Sequence, residues 1–198
     1  MSDDIVRVPV TEKYFVGIDA SLTSTGFCIK MGSEIRTETI KTKPEKFKND
    51  LERLEYIAKE LLKRIPKGIT MVAMEDFYVA FNKAQINSSI RLAMLATTVR
   101  LSLYDVGIPF FIVSPSTLKK HILGKGVGEK DLILREVYKK LGLSPANNDE
   151  ADAVVLCHIA EHLHQSLSGT LGDIPKYQKE AIKAILDARD ERSYNIHQ

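Results

Sequence analysis

Four acidic residues in this chain lie where ligands for a metal ion would be placed. Asp19 follows one apolar run, Glu75 follows a second, and Asp149 and Asp152 begin an apolar helical stretch. A carboxylate at the end of a buried strand costs free energy unless something compensates its charge. The four acids together indicate a divalent cation as that compensation. Clustered carboxylates that hold Mg²⁺ are the means by which many nucleases cut phosphodiester bonds.

Asp149 and Asp152 are three residues apart, so they share one face of the predicted helix. Acids in a first turn also favour the helix dipole, and that structural role stays open. Ala151 and Ala153 make this end of the helix apolar, so we expect it to be buried. Two like charges on a buried face repel unless one is protonated or a cation lies between them. Glu150 is rotated off this face and is predicted to be a bystander.

The two acids that follow strands are each ambiguous when taken alone. Asp19 could merely cap a turn, and Glu75 could be a buried acid that pairs with Lys or Arg. Gly26, seven residues after Asp19, would let a ligand or a second chain come close to the backbone. Asp76 competes with Glu75, but it points to the opposite face of the sheet if the strand continues.

The composition is that of one globular domain, or one domain with an appendage. The chain has 198 residues, of which 44% are hydrophobic and 27% charged, and its net charge is +2. No apolar stretch approaches the roughly 20 residues that a membrane helix needs. No signal-peptide pattern follows the acidic start, Met1–Asp4, so we expect a cytoplasmic protein. Cys28 and Cys157 are expected to be buried, reduced thiols.

The order of predicted elements indicates a mixed α/β sheet covered by helices. Strands are predicted at 14–18, 25–30, 34–40, 69–74 and 109–113. Helices are predicted at 47–65, 87–106, 115–123, 129–141, 149–164 and 175–189. Three strands in a row favour an antiparallel meander, and the later strands alternate with helices. The predicted organisation is an arm at 1–13, a main domain at 14–165 and a helical extension at 166–198.

Basic and aromatic residues supply candidates for contacting a nucleic acid. Lysines can bind phosphate or offset negative charge that develops on it, and aromatic rings in a loop can stack on an unpaired base. The candidates are Lys119, Lys120, Lys125, Lys130, Tyr78 and Phe81. Solvation of the lysines, and packing of the rings under their loop, are the alternatives that the sequence leaves open.

In their order along the chain, these motifs resemble the RuvC family of Holliday-junction resolvases. The resemblance spans residues 14–165. The motifs that carry it are Asp19 with Gly26, Glu75 after an apolar strand, GKGVGEK at 124–130 and DEAD at 149–152. It implies an RNase H-like fold of five strands, a homodimer, and Mg²⁺-dependent paired nicking of four-way DNA junctions.

The resemblance also implies roles for individual residues. It maps a catalytic, metal-binding tetrad onto Asp19, Glu75, Asp149 and Asp152. These acids would hold two Mg²⁺ ions, with Mn²⁺ as a substitute. It implies that Lys119 and Lys130 assist and that Tyr78 stacks on a base. The tail beyond Gly169 departs from the bacterial pattern and would suit a phage-encoded relative, active in a bacterial cell or a phage-infected host. Helicase partners and cleavage preference stay open.

Three other functions can be set against this one. A nuclease of the same fold could act on other branched DNA or on RNA–DNA hybrids. The stretch GIDASLTSTG also resembles the first phosphate loop of actin-like kinases, but that fold needs a second such loop and a duplicated domain. A silent junction-binding protein would gain nothing from four acids that face phosphate. We therefore expect an endonuclease whose product carries a 5′ phosphate.

Overall fold

A computed structural model describes residues 13–77, 86–188 and 193–194, with Lys130 described by its backbone. The strands are β1 (Tyr14–Asp19), β2 (Ser24–Met31), β3 (Glu34–Lys41), β4 (Met71–Glu75) and β5 (Phe110–Val113). The helices are α1 (Asp50–Arg64), α2 (Ile86–Asp105), α3 (Pro115–Leu123), α4 (Lys130–Leu141), α5 (Asn148–Leu167) and α6 (Lys176–Asp187). In the described part of the chain, no helix combines the length and apolar character that crossing a membrane requires.

The five strands form one mixed sheet in the order β3-β2-β1-β4-β5. The first three strands pair antiparallel, and β4 pairs parallel with β1 and with β5. This arrangement confirms the predicted fold class. Because β1, β4 and β5 run in the same direction, their carboxyl ends meet at one edge of the sheet, where Asp19 and Glu75 lie.

Each face of the sheet is covered by its own set of helices. Alternate side chains of β4 explain this, because Val72 and Met74 pack with α1 and α2, whereas Met71 and Ala73 pack with α3 to α6. A strand covered on both faces is expected to be continuously apolar. The apolar run that precedes Glu75 therefore marks a central strand.

Two glycines allow α5 to lie directly on the sheet. A Cβ atom at Gly17 would lie 2.0 Å from the carbonyl oxygen of Ala153, and one at Gly26 would lie 2.0 Å from that of Asp149. Any other residue at either position would therefore push the helix away. The prediction that Gly26 admits a ligand or a second chain is wrong, because the backbone of α5 fills that space.

Most element boundaries differ from those predicted by one to three residues, and the starts of α1 and β4 are two examples. Helix α1 begins at Asp50 rather than at 47, because the side chain of Asn49 accepts a hydrogen bond from the Glu52 N–H (2.9 Å) and caps the helix there. The preceding residues, Pro44–Lys46, form a short 3₁₀ helix. Strand β4 begins at Met71, two residues later than predicted, and ends at Glu75.

The C-terminal residues cover part of the main domain. Helix α6 packs against α3, and its Ala181 and Ile182 are buried. Ile182 belongs to the apolar cluster that also contains Met71 and Ala73 of β4. Beyond it, the Phe110 N–H donates to the Tyr194 carbonyl (2.7 Å) and the Tyr194 N–H donates to the Phe110 carbonyl (2.9 Å). This segment therefore lies along the outer edge of β5. The domain limits at 13 and 165 stay predictions, and residues 1–12 of the expected arm lie outside the described residues.

Candidate active site

Three of the four predicted acids meet at the carboxyl edge of the sheet. One carboxylate oxygen of each of Asp19, Glu75 and Asp152 lies within 4.8 Å of one from each of the others. Asp152 is buried, and the other two are partly exposed. Carboxylates this close repel one another, and a divalent cation between them relieves the repulsion. The three side chains are hard oxygen ligands, which fits Mg²⁺.

The sheet register and one helix bring these acids together. Ile18 lies opposite Met74 in the parallel pair of β1 and β4, so Asp19 and Glu75, the last residues of the two strands, lie side by side. Asp152 comes from α5, which the contact at Gly17 holds against β1. The acids are therefore positioned by elements of the core rather than by a loop.

The turn after Asp19 is held by hydrogen bonds. The Thr25 hydroxyl donates to the carbonyl of Ser21 (2.6 Å) and accepts from its N–H (3.2 Å). The buried guanidinium of Arg53 on α1 donates to the carbonyl of Leu22 (2.6 Å). These bonds fix the backbone on both sides of the turn, which limits how far Asp19 can move.

Asp149, the fourth predicted acid, lies one turn before Asp152 in the first turn of α5. It is partly exposed and is not in the group of three. The hydroxyl of Ser24 at the start of β2 donates to its Oδ2 at 2.5 Å. Sequence reasoning missed Ser24, which could be suspected only from its place in the turn after Asp19.

Two neighbouring acids make other contacts. Asp76 accepts a hydrogen bond from Arg100 of α2 (3.3 Å), and because β4 ends at Glu75, Asp76 also lines a cleft together with Asp19 and Glu75. Glu150 is buried and accepts hydrogen bonds from Thr37 (3.0 Å), Thr39 (2.8 Å) and the Ala146 N–H (3.0 Å). Burial opposes ionisation of Glu150, but these bonds outweigh it and lower its pKa. Glu150 is thus outside the acidic group, as predicted.

A cleft of about 180 Å³ opens beside the acids. Asp19 and Glu75 line it together with Ala96 of α2 and Pro115 at the start of α3. Helix α3 begins here because β5 ends at the same edge of the sheet, and the Ser114 hydroxyl caps it by accepting from the Thr117 N–H (3.2 Å). The cleft thus joins the acidic group to the N-terminus of a helix.

The predicted lysines lie on α3 and the loop that follows it. Lys119 is partly exposed, and Lys120 forms an ion pair with Glu180 of α6 (2.7 Å). Lys125 is exposed in the glycine-rich loop. Lys130 is the first residue of α4, and its side chain lies outside the described part. The predicted stacking residues, Tyr78 and Phe81, also lie outside the described residues.

The loop that carries Lys125 folds back towards the cleft. A Cβ atom at Gly126 would lie 3.4 Å from the carbonyl oxygen of Ser116, the residue after Pro115. The backbone at Gly126 therefore lies close to the start of α3. The glycine-rich loop thus lies near the end of α3 that lines the cleft.

Both cysteines are free and buried, as predicted. The Cys157 thiol donates to the carbonyl of Phe15 (3.2 Å), and burial together with the neighbouring Cys28 raises its pKa well above the ordinary value. The structure also contains a second cluster, which the sequence analysis did not predict. One nitrogen from each of His121, His158 and His162 lies within 4.8 Å of one from each of the others. The i, i+4 spacing of the last two on a helix was the available signal.

Comparisons with known proteins agree on one family. A family model described as "Crossover junction endodeoxyribonuclease RuvC" matches residues 15–159. A curated protein of that name from Baumannia cicadellinicola subsp. Homalodisca coagulata is 26% identical over 168 residues, which is 79% of this chain and 93% of the relative. One from Anaeromyxobacter sp. (strain Fw109-5) is 30% identical over 116 residues, 54% of this chain, and the match spans just over half (56%) of that relative.

Solved structures of the same fold include the RuvC of Thermus thermophilus. It superposes with a TM-score of 0.60 and 22% identity, covering 81% of this chain and 99% of that one. The same protein "in complex with Holliday junction substrate" gives a TM-score of 0.59 at 20% identity, with coverage of 82% and 99%. At this identity the likeness concerns the fold, and the sheet described above is RNase H-like.

Proposed function

This chain belongs to the RuvC family, and from that premise we propose that it is a metal-dependent endodeoxyribonuclease that resolves four-way DNA junctions by paired nicking. The single observation that supports the proposal most strongly is the meeting of Asp19, Glu75 and Asp152 within 4.8 Å. Acids from two strands and a distant helix converge there, and a protein that only binds DNA would gain nothing from placing them against phosphate.

The three acids would hold Mg²⁺, or Mn²⁺ in its place, and Asp149 would be a fourth ligand. When bound, Mg²⁺ lowers the pKa of coordinated water and stabilises negative charge on the leaving oxygen. The protein's own contribution is to hold its carboxylates in place before the substrate arrives. The cleavage would leave a 5′ phosphate and a 3′ hydroxyl, as expected when the 3′ oxygen is the leaving group.

Basic residues near the cleft would position the DNA strand. Lys125 is exposed on the loop that packs against Ser116, beside the acidic cleft. Lys130 follows at the start of α4, and we propose that it offsets charge on the scissile phosphate. Lys119 and Lys120 would contact the backbone farther from the cut. Such contacts position DNA without reading its sequence, so selectivity would come from junction shape.

Paired nicking needs two active sites, and α2 offers a surface for a second copy. Its large exposed apolar residues follow a helical spacing and are Ile86, Ile90, Met94, Leu101 and Tyr104. Exposed apolar patches on one helix face are typical of protein interfaces. We propose that two copies pair through this face to form a homodimer that places one acidic cleft against each of two strands.

A nicking assay on labelled four-way, three-way and linear DNA, and on an RNA–DNA hybrid, tests the proposal. Symmetric nicks in the four-way junction that require Mg²⁺ or Mn²⁺ would support it. Equal cutting of all substrates would instead indicate a nuclease of broader range. Glu75→Gln should abolish nicking, and Glu55→Gln is the matched control because Glu55 is an exposed acid of α1 that pairs with Lys59. Full activity of Glu75→Gln would refute the proposed site.

A further inference from the structure

Three histidines from two helices form a second cluster away from the acidic cleft. His121 comes from α3, and His158 and His162 come from α5, where their i, i+4 spacing puts them on one face. One nitrogen of each ring lies within 4.8 Å of one nitrogen of both others. His121 Nε2 and His158 Nδ1 are 3.3 Å apart.

The three rings are held as neutral imidazoles. Burial is the main cause, and it lowers the pKa of His158 and of His162 to about 4 and that of His121 well below its ordinary value. Neutral imidazole has a lone pair to offer, which is the form that binds metal ions. At neutral pH a metal ion therefore needs to displace few protons to bind here.

Two ring nitrogens in the cluster are buried without a hydrogen-bond partner among the described residues. They are Nδ1 of His121, whose side chain is fully buried (0% exposed), and Nδ1 of His162. A buried polar atom that lacks a partner costs free energy, so the hydrogen bonds of the described residues do not account for the burial of these rings. Because one nitrogen of each ring lies within 4.8 Å of one from each of the others, which for His121 and His158 are Nε2 and Nδ1, one ion can take a lone pair from each of the three.

The donor set and spacing select the ion. Two nitrogens on one tetrahedral Zn²⁺ are about 3.3 Å apart, given Zn–N bonds of about 2.0 Å, and the pair in His121 and His158 already meets that value. Imidazole donors suit zinc and its neighbours in the first transition row, whereas Mg²⁺ prefers oxygen. The adjacent Cys157 is excluded as a ligand because its thiol faces β1 and donates to the carbonyl of Phe15.

The cluster can be reached from a pocket of about 130 Å³. His158 is partly exposed and lines this pocket together with Lys30 and Cys157. Lys30 is paired with Glu161 at 2.5 Å, so the carboxylate offsets the positive charge that an incoming cation would meet. The pocket has room for a water molecule, which could complete a fourth coordination position.

We propose that His121, His158 and His162 bind a first-row transition-metal ion, Zn²⁺ in the first instance, which ties α3 to α5. The ion would have a structural role. Helix α3 lines the cleft with its first residue and leads into the loop that carries Lys125, so the tie would hold both against α5. Nothing in this proposal depends on junction cleavage.

Cobalt titration of the purified full-length chain tests the proposal, with Mg²⁺ present in excess to occupy the carboxylates. Co²⁺ bound by three imidazoles and one water absorbs strongly in the visible, unlike Co²⁺ in an oxygen site. We expect this absorption to saturate at one equivalent and to be displaced by Zn²⁺. His158→Gln should weaken binding by at least about tenfold.

His164→Gln is the matched control, because His164 lies on the same helix and its ring packs on Phe15 instead of joining the cluster. Absence of the absorption in wild type, its retention in His158→Gln, or its equal loss in the control would each overturn the proposal. Should His158→Gln not fold, nitrogen NMR of the wild-type imidazoles with Zn²⁺ decides. Shifts of three rings would support the site, and unchanged spectra would refute it.

Discussion

The two halves of α5 contribute to two clusters of very different chemistry. At its N-terminal end, Asp152 joins two strand-end acids beside a cleft, and all the donors are oxygen. Two turns later, His158 and His162 meet His121 in a buried setting, and all the donors are nitrogen. Hard oxygen donors at an open edge suit a metal that meets substrate, whereas buried imidazoles suit an ion that holds helices together. One helix can thus separate two metals by donor type and access.

The strongest test of this comparison measures two variants, one in each cluster, by both nicking and cobalt binding. Asp152→Asn should lower junction nicking by more than about a hundredfold, because loss of a direct ligand should exceed the 10–100-fold typical of a ligand's neighbours. It should leave the cobalt absorption of the histidine cluster unchanged. His158→Gln should remove the cobalt absorption but lower nicking far less than Asp152→Asn does, because the histidine ion would position α3 without touching the substrate. Nicking rates and cobalt spectra of both variants are measured together. Loss of both signals in either variant would mean that the two clusters are not independent.

The contact between α5 and the sheet gives the next largest effect. Gly26→Ala would place a methyl group 2.0 Å from the Asp149 carbonyl, so α5 must move. Overpacking of this kind costs about 1–3 kcal/mol of unfolding free energy, and the displaced Asp152 should also reduce nicking. Urea denaturation measures the first effect. Gly172→Ala is the control, since nothing lies within 4 Å of a Cβ there, and equal stability of the two variants would contradict the tight packing.

Glu150 should stabilise the N-terminal half of α5 without contributing to catalysis. Glu150→Gln should lower the free energy of unfolding by about 1–3 kcal/mol at neutral pH, because the carboxylate accepts three charge-assisted hydrogen bonds. Since its pKa is lowered in the folded state, this stabilisation is present above the ordinary value of 4.5 and is lost as the pH falls through the folded pKa. The difference in unfolding free energy between wild type and variant should therefore shrink on acidification. A constant difference would contradict this account.

Metal binding to the acidic cleft should give the smallest change in the free energy of unfolding. Mg²⁺ at ten times its dissociation constant adds about 1.4 kcal/mol if it binds only the folded chain. Thermal unfolding in EDTA and in Mg²⁺ measures this, and Asp19→Asn should remove most of the difference. The measurement is repeated with Mn²⁺, and no shift with either ion would count against the acidic site.

The sequence predicts the sheet, and the meeting of three of the four acids, because both follow from local patterns. Apolar runs mark β1 and β4, and parallel strands bring the residues that follow them to one edge, so Asp19 and Glu75 could be placed together. The i, i+3 spacing likewise put Asp152 on the face of α5 that meets the sheet. Helix geometry likewise turns Glu150 towards β3, where it accepts hydrogen bonds from Thr37 and Thr39.

What the sequence could not predict depends on contacts between distant residues. The pattern shows that Gly26 allows close approach but not that α5 is what approaches it. His121 and His158 are separated by 37 positions and meet only because α3 packs on α5. The bond from Ser24 that engages Asp149 likewise joins residues 125 positions apart. Such pairings are set by tertiary packing, which has no local signature.

The pairing of Tyr194 with Phe110 has a consequence for how this chain behaves at high concentration. An outermost strand with unsatisfied amide groups is a template for another strand, and β5 is such a strand wherever residues 193–194 do not cover it. The Ser193 hydroxyl, which accepts from the Ile112 N–H (3.0 Å), protects one more of these groups. Shortening the chain to residue 188 should therefore leave the fold formed but make it prone to self-association through β5.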